Sequence, residues 1–454
     1  MLRRLACACA LTFVLSAQAQ AADWSLGDVM PISARSVDRV APGRNVANLN
    51  RLGFFSDLKY DAATGTWFAL SDRGPGGGVI GYATRVQQMI VPLHPVTGAV
   101  LAKPVVLRTI LFQDRNGRPF NGLNPTLLNG TPATLGNSFD PEGIAVGRNG
   151  RLYVSDEYGP SLYEFDRRGR FVRAFEIPAN LRPVQADGQP NYTDGRGVIA
   201  TGRQDNRGFE GLTFNASRTR LYAVLQDPLV NEGEKNDGRR SRWVRVVEFD
   251  PASGTSTAQY LYPLESVDAL NAVDPATGDD FEGKDQGRSI GLSAIEAISD
   301  HEFLVLERDN RGLGVEETAA PVHKRVYRID LRGATDVQHL SLAGRNDLPA
   351  GVRPVAKRPE VDLLAALRGV GSDVPEKLEG LAIGPRLLFG GQVVLVGSDN
   401  DYSVTQSGAG EQFDVCVNTA TGERRQVPLD SACPAGTSLI PGYLLSFKVR
   451  GLRG

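Results

Sequence analysis

The sequence predicts an all-β fold, a β-propeller built from four-stranded antiparallel blades. Long helical periodicity is scarce in the 454 residues, and short runs of Val, Leu, Tyr and Phe end in turn residues. A hairpin with an acidic residue near each end recurs along the chain, which is typical of a repeat architecture. The most complete copy continues into two more strands, and four antiparallel strands repeated around a ring describe a propeller.

The repeated hairpin is clearest at residues 139–157, where Phe-Asp-Pro-Glu-Gly-Ile-Ala-Val is followed by Leu-Tyr-Val-Ser-Asp-Glu. Further copies begin at Phe209, Ile295 and Leu378, and a degenerate copy begins at Phe55. These copies predict five blades, or six if residues 79–111 hide a degenerate blade. The segments 24–37 and 443–449 are both strand-like, and we expect them to close the ring together.

The first residues are typical of a signal peptide, which we assign to residues 1–21. Arg3 and Arg4 precede an apolar run, and small residues occupy the cleavage positions up to Ala21. The apolar run is too short to cross a bilayer. We therefore expect a periplasmic or secreted protein without a membrane span, whose single domain covers residues 22–454.

The cysteine count and the charge add two expectations. Cys416 and Cys433 are the only cysteines outside the predicted signal peptide, and an oxidising compartment favours a disulfide between them. The formal net charge of −2 argues against a nucleic-acid partner. We expect a monomer that acts on a small molecule.

A meander brings the start of its first strand and the end of its second strand to the same sheet edge. The acids at these positions are Glu142, Glu210, Glu296 and Glu379 in first strands, and Asp72, Asp156, Glu307 and Asp399 in second strands. We expect them to face one common mouth, with the long polar loops. Like-charged carboxylates at close range raise their pKa values, pair with Arg or Lys, or bind cations.

A purely structural role for these acids is an open alternative. A carboxylate at a strand end also accepts hydrogen bonds from backbone N–H groups of the next blade and holds the ring closed. This role is as consistent with each Glu of the Glu-Gly copies as a functional one. Arg73 and Arg308 are likewise consistent with ion pairs between blades.

The residue types favour Ca²⁺ as the bound cation. Carboxylate oxygens without clustered His or Cys select Ca²⁺ or Mg²⁺ over zinc, and irregular loop-borne sites suit calcium. The predicted metal ligands are Asp72, Asp156, Glu157, Asp227, Asp309, Asp399 and Asp401. The predicted catalytic acids are Glu142, Asp156, Glu157, Glu210, Glu307, Glu379 and Asp399. The predicted substrate-binding residues are Arg73, Arg308, Arg311 and Lys377, because cationic groups beside a metal suit a phosphate ester.

Other hydrolase signatures fail. No His lies in an Arg-His-Gly context, neither Cys416 nor Cys433 has an Arg six positions on, and no phosphate-binding Gly loop ends in Lys-Ser or Lys-Thr. Ser289 lies in the pattern Gly-Arg-Ser-Ile-Gly. A nucleophile elbow needs a strand before this serine and a helix after it, whereas Ser289 follows a polar stretch and leads into a predicted strand.

Several motifs together resemble a known family. They are Asp-Pro-Glu-Gly-Ile-Ala at 140–145, Tyr-Val-Ser-Asp-Glu-Tyr-Gly-Pro at 153–160, Gly-Phe-Glu-Gly-Leu at 208–212 and Lys-Leu-Glu-Gly-Leu-Ala at 377–382. They are similar to the phytase-like family of exported bacterial proteins, also described by an esterase-like activity of phytase. The resemblance covers about residues 54–449. It implies a propeller with many functional Asp and Glu residues and a phosphoesterase or esterase activity.

Two function hypotheses follow from the acidic mouth. The first is a calcium-dependent phosphoric-ester hydrolase in which water attacks a phosphate ester. The alternative is a noncatalytic propeller, stabilised by calcium, that binds a glycan or a protein partner. The first hypothesis predicts turnover that a chelator abolishes without unfolding the protein, and the alternative predicts lower stability on chelation and no ester cleavage.

Overall fold

The computed structural model describes residues 22–40, 47–129, 131–195, 197–273, 280–316, 319–408 and 410–452. The predicted signal peptide, residues 1–21, lies outside the described residues.

Five of the four-stranded sheets share one antiparallel meander topology. Sheet 1 contains Asp57–Asp61, Thr66–Leu70, Arg85–Ile90 and Val105–Leu111. Sheet 2 contains Pro141–Val146, Leu152–Asp156, Ser161–Phe165 and Phe171–Ala174. Sheet 3 contains Phe209–Phe214, Leu221–Leu225, Trp243–Asp250 and Thr255–Pro263. Sheet 4 contains Ile290–Ala297, Glu302–Asp309, Lys324–Asp330 and Ala356–Asp362. Sheet 5 contains Lys377–Arg386, Gln392–Asp399, Gly442–Arg450 and Asp23–Ile32.

The two ends of the described chain meet in sheet 5. The N-terminal strand Asp23–Ile32 runs antiparallel to Gly442–Arg450, with Trp24 opposite Val449. The prediction that both chain ends complete one sheet is therefore confirmed, although the N-terminal strand ends at residue 32. The strands within residues 79–111, where a further blade was considered, belong to sheet 1.

The first strands of the five sheets contact one another in the cyclic order 1, 2, 3, 4, 5 and back to 1. Glycine permits this close approach. A Cβ atom on Gly143 would lie 2.2 Å from the carbonyl oxygen of Glu210, and one on Gly211 would lie 2.5 Å from the amide nitrogen of Ile295. Large apolar side chains fill the space between neighbouring sheets, as Phe209, Leu212 and Ile295 do. The predicted all-β propeller class is confirmed.

The chain segment that connects the second and third strands of sheet 5 forms a further sheet. It contains Val404–Ser407, Glu411–Val417, Arg424–Pro428 and Ser438–Leu439. A disulfide joins Cys416 to Cys433 within this insertion, as predicted. The buried Arg51 attaches the insertion to the N-terminal segment, because its guanidinium lies 2.6 Å from both Asp414 and Asp430.

The remaining elements are short. The α-helices are Pro125–Asn129, Val267–Asn271, Gln286–Ser289 and Leu363–Gly369. The 3₁₀ turns are Ala47–Asn50, Arg148–Gly150, Ala179–Leu181, Gly238–Arg240, Gly283–Asp285 and Asp401–Ser403. Two small ladders pair Val184–Gln185 with Ile199–Thr201 and Gly233–Glu234 with Ala343–Gly344. Within the described ranges no helix has the length and apolar character needed to cross a membrane.

Candidate functional site

A cavity of 260 Å³ opens where the first strands of the sheets begin, and we call it the mouth cavity. Its lining is strongly charged. The lining residues are Asp72, Arg73, Glu142, Glu157, Asn206, Arg207, Glu210, Gln226, Arg308, Asn310, Glu316, Glu376, Lys377, Glu379 and Asp399. Eight of these side chains are acidic and four are cationic.

The first strands contribute glutamates from β-bulges. In sheet 2 the register shifts between Pro141 and Gly143, and in sheets 3 and 5 it shifts around the Glu-Gly pairs. The bulged residues Glu142, Glu210 and Glu379 all line the mouth cavity. A bulge re-aims one side chain, and the glycine that follows permits contact with the neighbouring first strand. In each Glu-Gly copy, therefore, the glutamate lines the cavity and the glycine allows neighbouring first strands to pack closely around the ring.

Glu296 does not belong to this set. The bulge in sheet 4 lies at Ser293, whose Oγ accepts a hydrogen bond from Arg308 Nε at 2.9 Å. Glu296 lies three residues further along the strand, towards the face of the propeller opposite the mouth cavity. There its carboxylate is 2.9 Å from Lys59 Nζ. The expectation that Glu296 faces the common mouth was wrong, because the Ile-Glu-Ala-Ile copy was aligned out of register.

The second strands contribute one residue each to the lining, from a fixed register position. Asp156 lies opposite Pro141 in sheet 2, and Glu307 lies opposite Leu292 in sheet 4. Side chains alternate between the two faces of a strand. Asp156 and Glu307 therefore point away from the cavity, and the next residue in each chain segment, Glu157 or Arg308, points into it. The residues that reach the cavity in this way are Asp72, Glu157, Gln226, Arg308 and Asp399. Arg73 and Asn310, which lie beyond the second strands of sheets 1 and 4, also line it.

Asp156 occupies the preceding register position and does not line the mouth cavity. It is fully buried, and its two oxygens accept hydrogen bonds from the backbone N–H groups of Asp140 at 2.7 Å and Gly159 at 2.9 Å. Burial raises the pKa of Asp156 to about 7 even against these hydrogen bonds. Asp156 therefore has a structural role, but both donors belong to its own sheet and not to the next blade, so it does not tie neighbouring sheets together in the way that the sequence suggested.

Glu307 is likewise turned away from the mouth. Its carboxylate lies 2.7 Å from Lys357 Nζ and 2.8 Å from His323 Nε2, and it accepts a hydrogen bond from the backbone of Glu265. Burial alone would raise the pKa of Glu307, but Lys357 and His323 lower it to about 2. The prediction that Glu307 lies at the catalytic mouth was wrong. The residue that faces the cavity in this strand is Arg308, one position further on, and a shift of one residue moves a side chain to the other face of a strand.

Four further predicted site residues lie outside the lining, and two of them, Asp227 and Asp401, lie beside it and pair with lining cations. Asp309 Oδ1 lies 2.7 Å from Lys324 Nζ, and its Oδ2 accepts from the backbone N–H groups of Val322 and His323. The guanidinium of Arg311 lies 3.8 Å from the ring centre of Phe281. Neither residue lines the mouth cavity.

Four cationic side chains line the cavity, and each has an acidic partner. Arg73 Nη1 lies 3.1 Å from Asp140 Oδ2 and also binds the side chain of Asn206. Arg308 Nη2 lies 2.5 Å from Glu379 Oε1. Arg73 and Arg308 line the mouth cavity, and both form the ion pairs between neighbouring sheets that were the structural alternative. Their role in substrate binding stays a prediction.

The other two cations complete the rim. Lys377 Nζ lies 2.6 Å from Asp401 Oδ1 and 3.8 Å from Asp399 Oδ2. Arg207 Nε lies 3.0 Å from Asp227 Oδ2, and its Nη1 lies 3.8 Å from Glu157 Oε1. Asp227 therefore supports Arg207 beside the cavity.

Several residues that line the mouth cavity are not among those predicted from the sequence. Arg207 precedes the Gly-Phe-Glu-Gly-Leu motif by one residue, so it had a sequence signal, as did Asp140, which lies inside the Asp-Pro-Glu-Gly motif and pairs with Arg73 beside the cavity. Glu316 and Glu376 come from polar loops whose sequence gives no register. Chain topology alone brings these loops to the mouth.

Burial and the repulsion between neighbouring carboxylates raise the pKa values of several acids in the mouth cavity. Burial, followed by neighbouring carboxylates, raises the pKa values of Asp72, Glu142 and Glu210 well above their usual range. Burial and Asp140 raise the pKa of Glu157 to about 8. Burial and Asp401 raise that of Asp399 to about 7.

Two groups of three carboxylates have oxygens close enough to share a cation. Within each group one oxygen per residue lies within 4.8 Å of the others, and both groups contain Asp72. The first group is Asp72, Asp399 and Asp401, and the second is Asp72, Asp140 and Glu142. In addition, Glu157 Oε1 and Glu210 Oε2 are buried and have no hydrogen-bond donor among the described residues.

The loop that carries Asp401 is conformationally unusual. Asp401, Tyr402 and Ser403 have φ angles of 47°, 58° and 56°, in the left-handed region that non-glycine residues rarely adopt. The amide of Asp401 donates to Asp399 Oδ1 at 2.9 Å, and the buried Tyr402 has its hydroxyl 2.8 Å from that of Tyr82. Such local strain persists only where the surrounding packing holds the backbone in place.

Ser289 has the opposite surroundings to a nucleophile elbow. It ends the short helix Gln286–Ser289 and is followed by the first strand of sheet 4. It does not line the mouth cavity. The order of helix and strand agrees with the sequence argument against a serine hydrolase.

The fold and the mouth cavity define a β-propeller with a buried acidic mouth. The chain belongs to the phytase-like family, described by an esterase-like activity of phytase, whose model matches residues 50–402. All the cavity-lining residues lie within that range.

One relative is a secreted protein of Arthroderma benhamiae whose function is uncharacterized. It is 30% identical over 317 residues, which cover 60% of this chain and 59% of the relative. The chain thus spans about three fifths of that relative's length. Among solved structures, streptogramin B lyase has a TM-score of 0.30 at 8% identity, covering 92% of this chain and 97% of its own. The Dos1 propeller has a TM-score of 0.28 at 8% identity, covering 87% and 92%, respectively.

Proposed function

We propose that this protein is an exported, calcium-dependent hydrolase of phosphoric esters that acts as a monomer on small-molecule substrates. One observation carries the proposal. Among the residues that the structure describes, eight acidic side chains and four cationic ones line a cavity of 260 Å³. This imbalance favours a bound cation over an apo state in which several buried acids remain protonated.

The donor set fits calcium. The acids offer only oxygen ligands, and they come from strand ends and from the strained 401–403 loop, which allows irregular coordination. Asp72, Asp399 and Asp401 would hold one ion, and Asp72, Asp140 and Glu142 would hold another. This set replaces Asp156, Glu157, Asp227 and Asp309 as the proposed ligands. Bound calcium would supply positive charge beside the phosphoryl oxygens.

The cationic rim would bind the substrate. Arg73, Arg207 and Lys377 line both the mouth cavity and an adjoining outer cavity of 460 Å³, so an ester entering from the loops meets them first. Guanidinium groups bind phosphoryl oxygens in a bidentate manner, and they would orient the ester for attack.

Glu210 is the best-placed residue for proton transfer. It lines the cavity, it is 2% exposed, and within the described part of the chain its Oε2 has no hydrogen-bond donor. Burial and then Glu157 raise the pKa of Glu210, so that its carboxylate is a stronger base than an exposed one. Once it is ionised, with calcium bound, Glu210 would accept a proton from the water that attacks phosphorus. The P–O bond to the alcohol would break, and the departing oxygen would take its proton from solvent.

The test is turnover of a phosphomonoester and of a carboxylic ester, each with calcium and with a chelator. Calcium-dependent cleavage of the phosphomonoester is the expected result. Asp72→Asn should lower this turnover at least about tenfold, because both carboxylate groups lose a member. The matched control, Ser289→Ala, should retain full activity.

Other outcomes would change the assignment. Cleavage of the carboxylic ester alone, with loss of activity in Ser289→Ala, would establish a serine esterase. No turnover of either ester, together with lower stability in chelator, would favour the noncatalytic calcium-stabilised propeller that binds a glycan or a protein.

A further inference from the structure

A second groove lies on the face opposite the mouth cavity, and we call it the arginine groove. It has a volume of 800 Å³ and is bordered by hairpin turns of sheets 1, 2 and 3. Five arginines line it: Arg108, Arg148, Arg167, Arg168 and Arg218. The other lining residues include a single acid, Asp61.

The groove arginines lack acidic partners. In the part of the chain that the structure describes, no carboxylate lies within ion-pair distance of these five side chains. Arg108 donates to the amide oxygen of Gln88 and to the carbonyl of Arg167, and Arg148 donates to the carbonyl of Ser217. Asp61 is engaged in its own turn, where it accepts from Ala63 N and Thr64 Oγ1.

Neighbouring arginines on the same sheets behave differently. Arg151 and Arg173 both pair with Glu164, and Arg220 pairs with Glu248. Acids are thus placed against arginines just outside the groove and are absent from its lining apart from Asp61. Clustered like charges repel one another, and an anionic ligand is the feature that would relieve the repulsion.

We infer that the arginine groove binds a multivalent phosphate-bearing anion. Arg108, Arg148, Arg167 and Arg168 are exposed, and Arg218 is half-buried, so their guanidinium groups are accessible. Arginine suits phosphate because its planar fork donates two parallel hydrogen bonds. Five such groups around one groove match several phosphate groups on one ligand better than a single monovalent anion.

This site is independent of the proposed hydrolysis. The mouth cavity is acidic and repels a free polyanion in the absence of calcium, whereas the arginine groove attracts it. The two faces therefore carry opposite local charge. A phosphate-bearing surface or ligand would hold the arginine groove and leave the mouth cavity open on the other side.

The test is calorimetric titration of the full chain with tripolyphosphate in a chelator. Saturable binding that weakens as salt rises is expected. Arg167→Gln/Arg168→Gln should weaken it about tenfold or more, because two charge-assisted contacts are removed. Both residues lie in an exposed turn of sheet 2, and unchanged thermal unfolding would show that the variant folds.

Two controls separate this site from the mouth cavity and from nonspecific charge. Arg353→Gln removes an exposed arginine elsewhere on the surface, and Glu210→Gln alters the mouth cavity. Both variants should bind like the natural chain. No binding, or equal weakening in Arg353→Gln, would overturn the inference, and so would a loss of binding in Glu210→Gln alone.

Vesicles identify the source of the phosphate. Binding to phosphatidylglycerol vesicles but not to phosphatidylcholine vesicles, lost in Arg167→Gln/Arg168→Gln, would assign a lipid-borne anion. Binding of tripolyphosphate without vesicle binding would assign a soluble one. Failure of both ligands would refute the phosphate site.

Discussion

Asp399→Asn should change stability in opposite directions with and without calcium. Asp399 is buried beside Asp401 and Lys377, and its pKa is raised from 3.8 to about 7 by burial and then by Asp401. An acid whose folded pKa is raised stabilises the fold below its unfolded pKa and loses that contribution as the pH rises through the folded pKa. The natural chain therefore carries a penalty at pH 8.

The size of the penalty follows from the shift. A rise of about 3 pKa units corresponds to about 4 kcal/mol at pH 8. The asparagine amide oxygen can still accept the Asp401 N–H bond, and Lys377 keeps its partner Asp401. In chelator, Asp399→Asn should thus be more stable than the natural chain, by at most about 4 kcal/mol because the neighbouring acids share the relief.

Saturating calcium should reverse this order. The natural chain gains stability from an ion held by its carboxylates, whereas the variant has lost a ligand and gains less. Urea denaturation at pH 8 with chelator and with calcium measures both differences. A variant that is less stable than the natural chain in chelator would refute the reasoning, since it would show that the Asp399 carboxylate is required by the fold. Asp330→Asn, which alters a surface pair with Arg332, is the control and should respond equally in both conditions.

Three further predictions concern the scaffold. Glu307→Gln should cost roughly 3 kcal/mol in urea denaturation at pH 7, since the pKa of Glu307 is lowered from 4.5 to about 2 and its stabilisation is lost only as the pH falls through that window; an unchanged midpoint would contradict this. Gly211→Ala should cost about 2 kcal/mol, because its Cβ would lie 2.5 Å from the adjacent first strand, whereas Gly369→Ala, with open space around the new Cβ, should not. Mass spectrometry without reduction should find Cys416 joined to Cys433, and alkylation of both would contradict the pairing.

Much of the fold could be predicted from the repeated hairpins. The Glu-Gly copies around Glu142, Glu210 and Glu379 fixed the first strands correctly, because the glutamate is bulged and the glycine permits contact between strands. The topology then brings strand ends and loops to one face. The chain ends also met in one sheet as the strand-like segments indicated.

The side-chain directions could not be predicted with the same success. The repeated hairpin predicts that Asp156 and Glu307 are equivalent to Asp72 and Asp399, yet they lie one register position earlier and face away from the cavity. Bulges shift the register by one residue, and a motif without backbone geometry does not show which of two adjacent acids is turned inward. The pair Asp156 and Glu157 illustrates this, since only Glu157 lines the cavity.

The surroundings of the cationic side chains could not be predicted from the sequence either. Arg311 was expected beside the substrate but stacks on Phe281, while Arg207 was overlooked and lines the cavity. Both lie next to recognisable motifs, so proximity in sequence did not distinguish them. The distinction arises from loop packing between sheets, which depends on residues distant in sequence.

The most direct test of a catalytic calcium site compares calcium binding with turnover in the same preparation. Calorimetric titration of the natural chain and of Asp72→Asn gives the calcium affinity, and phosphomonoester hydrolysis over the same calcium range gives the activity. The proposed function predicts that activity half-saturates at the calcium concentration where binding does, and that Asp72→Asn shifts both together. Calcium binding without hydrolysis, or hydrolysis that persists in chelator, would contradict it.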